Sequence, residues 1–232
     1  MIIGLAKWIS QFLAPVLSLA SLIVLSIVYF APVGVLHTGV SLLIVKPTGD
    51  ADGPTVFVGA LGSCGRPDNV SAVNCTQLNV QPTYNISVLP SGTPDLLTAP
   101  VASTPIFIGV SLVFTLIFFF MFTFLSLRHK MGKAASNARF ESPGIQHATS
   151  WIGLIGFLMG STSFLVTRMW FGKTVEDFNK IIARDGSSAP QIVADIGNGF
   201  TMAWIAYALF AVPLVSSMTK LQATAPKKKP AV

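Results

Sequence analysis

Apolar residues in this chain come in long blocks rather than at alternating positions. Four stretches contain no Asp, Glu, Lys or Arg: 8–45, 96–127, 142–167 and 196–219. A helix needs about 20 apolar residues to cross the hydrocarbon core of a bilayer, and each stretch is long enough. The pattern predicts spans at 12–35, 104–127, 148–171 and 196–219. The tail of the first stretch, 39–45, reads as a strand leaving the membrane. The first span is longer than the apolar region of a signal peptide, roughly 7–15 residues, so it is expected to stay as a signal-anchor.

Between the spans the pattern changes. The first loop, 36–103, is too long for a simple connector. Its segments 40–45, 55–61 and 84–89 are rich in β-branched and aromatic residues and are punctuated by Gly, Pro and Asp, which predicts a small antiparallel sheet. In the second loop, 172–195, Val175, Phe178, Ile181 and Ile182 recur at helical spacing. They predict a continuation of the third helix, broken at Asp185-Gly186-Ser187. Ser188 is then a candidate N-cap, with Pro190 in the first turn of the next helix. The fold expected is an all-α, four-transmembrane-helix bundle with a small extracellular antiparallel β-sheet.

Composition agrees. Of 232 residues, 52% are hydrophobic and 10% charged, against about 25% charged in a soluble domain. An ordinary soluble globule and a disordered chain are both excluded. Charge placement then predicts orientation. If both termini are cytoplasmic, the N-terminus (1–11), the inner loop (128–147) and the tail (220–232) hold Lys7, Arg128, Lys130, Lys133, Arg139, Lys220, Lys227, Lys228 and Lys229, against the single acid Glu141. The outer loops hold five basic residues, Lys46, Arg66, Lys173, Lys180 and Arg184, against eight acids.

The first loop also carries three glycosylation sequons, at Asn69, Asn74 and Asn85, which puts it on the lumenal or extracellular side. The two cysteines, Cys64 and Cys75, are in the same loop. On the oxidising side of a membrane they are expected to pair, worth about 3 kcal/mol in the chain-entropy treatment of so short a loop. A zinc site is not expected, because two cysteines with no nearby His cannot fill a tetrahedron.

Small residues predict close helix packing. Gly153, Gly156 and Gly160 lie on the third helix, Gly199 and Ala203 on the fourth. They serve contacts within the bundle, or a face for a partner. The second helix carries Phe114, Phe118, Phe119 and Phe122, expected to face lipid or a flat ligand such as a sterol. No other small ligand or cofactor is expected. Arg168 is the one charge inside a span; it is expected to snorkel to water or to pair with Asp195.

The chain has no HExxH, GxSxG or P-loop motif, and no carboxylate within a predicted span. His37, His129 and His147 sit near span ends without ligand-like spacing. This is the pattern of a protein that is not an enzyme.

The run Val58-Gly59-Ala60-Leu61-Gly62-Ser63-Cys64, then Cys75-Thr76, then Thr83-Tyr84-Asn85-Ile86-Ser87-Val88-Leu89-Pro90 resembles the fungal PalI-type family. Its members have a claudin-like layout of four spans with termini inside. The resemblance implies a plasma-membrane accessory or scaffold protein, acting in ambient-pH signalling or in eisosome and cell-wall organisation. Cys64 and Cys75 match the family's cysteine pair. Expected partners are membrane lipids and a larger integral membrane protein or a second copy of the chain, with no nucleic acid. A claudin-like adhesion or barrier protein and a small transporter or channel are the alternative readings.

Overall fold

The computed structural model describes residues 13–49, 52–95, 103–127, 143–186 and 189–224. The N-terminal segment, most of the inner loop, Ser188 and the end of the basic tail lie outside them. So do Lys7, Arg128, His129, Lys130, Lys133, Arg139 and Lys227 to Lys229.

Among the described residues there are four helices and five strands, in the order α1 (Ala14–Phe30), β1 (Leu43–Pro47), β2 (Thr55–Val58), β3 (Ser63–Arg66), β4 (Asn74–Cys75), α2 (Ser103–Leu127), α3 (Pro143–Asp185), β5 (Ile192–Ile196) and α4 (Gly199–Thr224). Among the described residues, three helical segments are long and apolar enough to cross a membrane: Thr104–Leu127, Gly144–Asp185 and Gly199–Thr219. Helix α1 is apolar but has 17 residues, about 26 Å at 1.5 Å per residue. It ends two residues before Pro32, which disfavours helical geometry in the residue before it and cannot donate an N–H. Only 28% of the apolar window of α2 is buried. A helix so apolar and so exposed is stable only in an apolar solvent, so this is a membrane protein.

Helix α3 runs for 43 residues, about 64 Å, roughly twice the hydrocarbon thickness. Trp151 and Trp170 are both exposed on it. They stand 19 residues apart, about 29 Å along the axis, which matches the spacing of the two aromatic belts of a bilayer. The remainder of α3, from about Gly172 to Asp185, extends beyond Trp170, which is the helical continuation expected of the second loop. It ends at Gly186, whose φ of +56° is left-handed.

The chain divides into two compact parts. The first contains residues up to Ile23, Val110–Met159 and Ile205 onwards. Its core is aromatic. The Phe118 ring is fully buried, stacks on Phe122 at 5.3 Å and meets Phe210 edge-on at 5.1 Å. Phe157 meets Tyr207 edge-on at 5.7 Å, and Ala14 and Leu214 complete the cluster. The expectation that Phe118 and Phe122 face lipid is therefore wrong. Gly153 is the reason: with no side chain there, the Phe118 ring settles onto the helix, and a Cβ on Gly153 would stand 2.5 Å from it. Phe114 and Phe119 are half-buried, and Phe120 is 62% exposed and is the ring that points outward. A Cβ on Gly156 would stand 2.9 Å from the Phe114 Cβ. Both glycines thus serve packing within the chain. The Ser150 and Ser217 hydroxyls share a buried hydrogen bond of 2.6 Å.

The second part contains Val24–Gly109 and Gly160–Trp204, including the whole sheet. All strand pairs are antiparallel and the order is β4-β3-β2-β1-β5. Leu43, Val45, Val56, Val58 and Ala194 are fully buried on one face of the sheet. Phe171, Phe178 and Phe200 are buried in the same part.

Strand β5 corrects the expected second loop. Residues 192–196 are a strand, and helix α4 begins at Gly199 rather than near Pro190 or at 196. Asn179 on α3 supplies the reason: its side chain donates to the Ala194 carbonyl and accepts from the Ala194 N–H, both at 2.9 Å. The other edge of β5 pairs with all five residues of β1. Gly199, expected at a helix-packing face, lies against the Ser41 carbonyl instead. Ala203 and Gly160 are buried. The segment 84–89 is also not a strand. Asn85 accepts from the Ser87 N–H, and the Asn85 N–H goes to Ser63 Oγ; these side chains satisfy the backbone that a strand ladder would have used.

Candidate functional site

The sheet's second face carries a disulfide, an ion pair and a cation–π contact. Directly opposed residues in antiparallel strands share a face. The register therefore makes one row from Asp195, Ile44, Phe57, Cys64 and Cys75, and a second from Val193, Lys46, Thr55 and Arg66.

At one end of the first row, Cys64 and Cys75 face each other across β3 and β4 and are joined by a disulfide, with Cα atoms 4.0 Å apart. Cys64 is fully buried and Cys75 half-buried. The expected pairing is present. His37, which sequence spacing leaves unconnected to the cysteines, folds over this end. Its Nδ1 donates to the Pro32 carbonyl at 2.6 Å and lies 3.7 Å from Cys75 Sγ. Leu36, just before it, has a φ of +50°, a left-handed conformation that a leucine adopts only under constraint. No motif connects His37 to a cysteine 38 residues away; the pairing of β3 with β4 and the turn at Leu36 bring them together. A histidine thus stands beside the two cysteines, contrary to the expectation that none is near.

At the other end of the first row, Asp195 forms an ion pair at 3.0 Å with Lys46 of the second row. They border a cleft of about 350 Å³ lined also by Thr38, Ser41, Phe57 and Asn198. The expected pairing of Asp195 with Arg168 is corrected: Asp195 sits on β5, diagonal to Lys46 on β1, and that cation takes it. The Arg168 guanidinium instead lies 5.5 Å over the Phe200 ring, a cation–π contact. Asn198 ties the cleft's rim, donating to the Gly39 carbonyl at 2.9 Å and accepting from the Ser41 N–H at 3.3 Å. Arg66 lies 5.6 Å over the Phe57 ring.

Beyond β3 the chain forms a turn held by Asp68, whose carboxylate accepts from the Val70 and Ser71 N–H groups and from the Ser71 hydroxyl. The Ser71 hydroxyl, followed by those two backbone donors, holds the Asp68 carboxyl below its ordinary value. The turn displays Val70, 92% exposed. Leu78 and Val80 are also exposed farther along the loop. Asn69, Asn74 and Asn85 are all exposed. Tyr84 packs on Phe171 at 6.4 Å and donates to the Gly59 carbonyl at 3.2 Å; burial pushes its phenol pKa up.

On the membrane helices, Phe120, Met121, Phe124, Leu125 and Ile145 line an apolar groove of about 320 Å³.

Compared with known proteins, the chain matches no family model and no curated protein.

Proposed function

We propose that this is a non-catalytic accessory or scaffold protein of the plasma membrane, whose outer sheet and loops engage a larger integral membrane protein or organise a membrane domain. In this reading α1, α2, α3 and α4 all span the bilayer. Both termini are cytoplasmic, and the first loop is outside and glycosylated. The excess of basic residues in the inner segments supports that orientation, as do three exposed sequon asparagines in one loop. The role is the one that the resemblance of the run at 58–90 to the PalI-type family implies. The apolar groove beside Phe120 is the place where an acyl chain or a flat lipid would lie.

The observation that carries the proposal is the build of the outer loop. A disulfide, the Asp68 turn and the Asn198 side-chain bonds fix its backbone. Yet the loop presents Val70, Leu78 and Val80 to solvent. Fixed backbone with exposed apolar side chains suits a protein contact, where those groups lose water at little ordering cost. The test is photo-crosslinking from Val70 and Leu78 in intact membranes, with crosslinkers at Thr48 and Asp52 as controls. Adducts of discrete mass from the apolar positions, absent from the controls, support the reading. Chain that stays un-crosslinked and monomeric from every position overturns it.

A further inference from the structure

Sulfur and imidazole donors meet at one end of the sheet. Cys64 Sγ, Cys75 Sγ and a ring nitrogen of His37 all lie within 4.8 Å of one another. Zinc binds thiolate at about 2.3 Å and imidazole at about 2.0–2.1 Å, and a tetrahedral angle between them sets a sulfur–nitrogen separation of about 3.6 Å. Cys75 Sγ and His37 Nδ1 already stand at 3.7 Å. Of the three edges of such a site, the one between the two sulfurs is closed by their covalent bond.

We propose that reduction of the Cys64–Cys75 disulfide converts this staple into a three-ligand Zn²⁺ site, with water in the fourth position. The site would then report the redox state of the compartment that the sheet faces. The reductant is a dithiol. One of its thiolates attacks Cys75 Sγ, the more exposed sulfur, and Cys64 leaves as a thiolate and takes up a proton. The second thiol of the reductant then attacks the mixed disulfide and releases Cys75 as a thiol. Two electrons and two protons have passed to the protein, and the reductant departs as its own disulfide. Zn²⁺ binding displaces one proton from each thiol. The His37 proton moves from Nδ1 to Nε2, so Nδ1 gives up its bond to the Pro32 carbonyl and turns its lone pair to the metal.

Two features favour a built site over a chance meeting. The cysteines are anchored on adjacent, directly paired strands, so reduction leaves the β3–β4 backbone pairing in place to hold them. His37 is delivered by Leu36 in a left-handed conformation, and such strain persists where the surroundings over-determine the backbone. With three protein ligands and one open position, the site would exchange its metal, whereas structural sites fill all four positions.

The experiment uses the full-length chain in detergent, with and without prior reduction by a phosphine that is then removed. Zn²⁺ affinity is read by competition with a chromophoric chelator, and Co²⁺ serves as a spectroscopic probe. The expected result is one tight Zn²⁺ per reduced chain and none per oxidised chain. Thiolate-to-cobalt charge transfer and tetrahedral d–d bands should appear, and Zn²⁺ should protect both thiols from alkylation. His37→Ala should lower affinity by more than the ~10–100-fold that loss of a mere outer-shell partner costs, and should change the cobalt spectrum. Its oxidised form should keep the wild-type melting profile. Binding by reduced His37→Ala equal to wild type would mean that two free thiols alone capture the metal, and the site as proposed would be wrong. Equal binding by oxidised and reduced wild-type protein would overturn it as well.

Discussion

The packing of Phe118 on Gly153 is open to a double-mutant cycle. Phe118 is fully buried between Phe122 and Phe210, and its ring lies where a Cβ on Gly153 would stand 2.5 Å away. In a bilayer the transfer term of a Phe→Ala change largely disappears, since lipid is as apolar as the core. The cavity term remains: a residual void of roughly 80–100 Å³ at about 24 cal/mol per Å³ gives about 2 kcal/mol. Gly153→Ala in the wild-type background overpacks the same place and costs about 1–3 kcal/mol. In the Phe118→Ala background the added methyl group meets no ring, so the double variant should be more stable than the sum of the two changes predicts by at least ~1 kcal/mol. The assay is reversible unfolding by SDS in mixed micelles, followed by tryptophan fluorescence, with Phe120→Ala as the exposed control. Additivity within about 0.5 kcal/mol, or a Phe118→Ala change as mild as the control, would show that the ring does not rest on Gly153.

Further predictions concern the sheet and the turn beyond β3. Asn179→Ala removes two hydrogen bonds to Ala194 at the edge of β5; it should cost about 1–3 kcal/mol and speed amide exchange at Ala194. Joint replacement of Cys64 and Cys75 by alanine should lower stability by about 3 kcal/mol, read in the same SDS assay. Lys46→Met breaks a half-exposed ion pair with Asp195 and should change stability by less than ~1 kcal/mol. The Asp68 carboxyl is held low when folded, so its contribution is present above its unfolded pKa of about 3.9. That contribution is lost as pH falls through the lower folded value. Protection of the Val70 and Ser71 amides should therefore fall in acid, and Asp68→Asn should remove that dependence.

Much of the helical frame was legible from the sequence because a block of twenty uncharged residues has few alternatives to a membrane helix. The forward extension of α3 was legible from Val175, Phe178, Ile181 and Ile182 at helical spacing. The orientation of each ring was not. A helix that is apolar all round gives no stripe to read, so Phe118 and Phe120 look alike until Gly153 on a neighbouring helix gives one of them a seat. The sheet was legible where β-branched residues run together, at 55–58, and illegible at Ser63–Arg66 and Asn74–Cys75, which carry little apolar alternation. Strand β5 reads equally well as a first helical turn; Asn179, fifteen residues from its partner Ala194, decides the matter through tertiary hydrogen bonds. The disulfide followed from compartment and count. His37 beside it did not, because its place depends on the turn at Leu36 and on strand pairing.

The most direct test of the account is antibody access in intact cells. One epitope is placed in the displayed turn at Val70 and another after Val232 of the same chain. The account predicts that the first stains without permeabilisation and the second only after it. Staining of the Val232 epitope in intact cells, with the Val70 epitope hidden until permeabilisation, would contradict it.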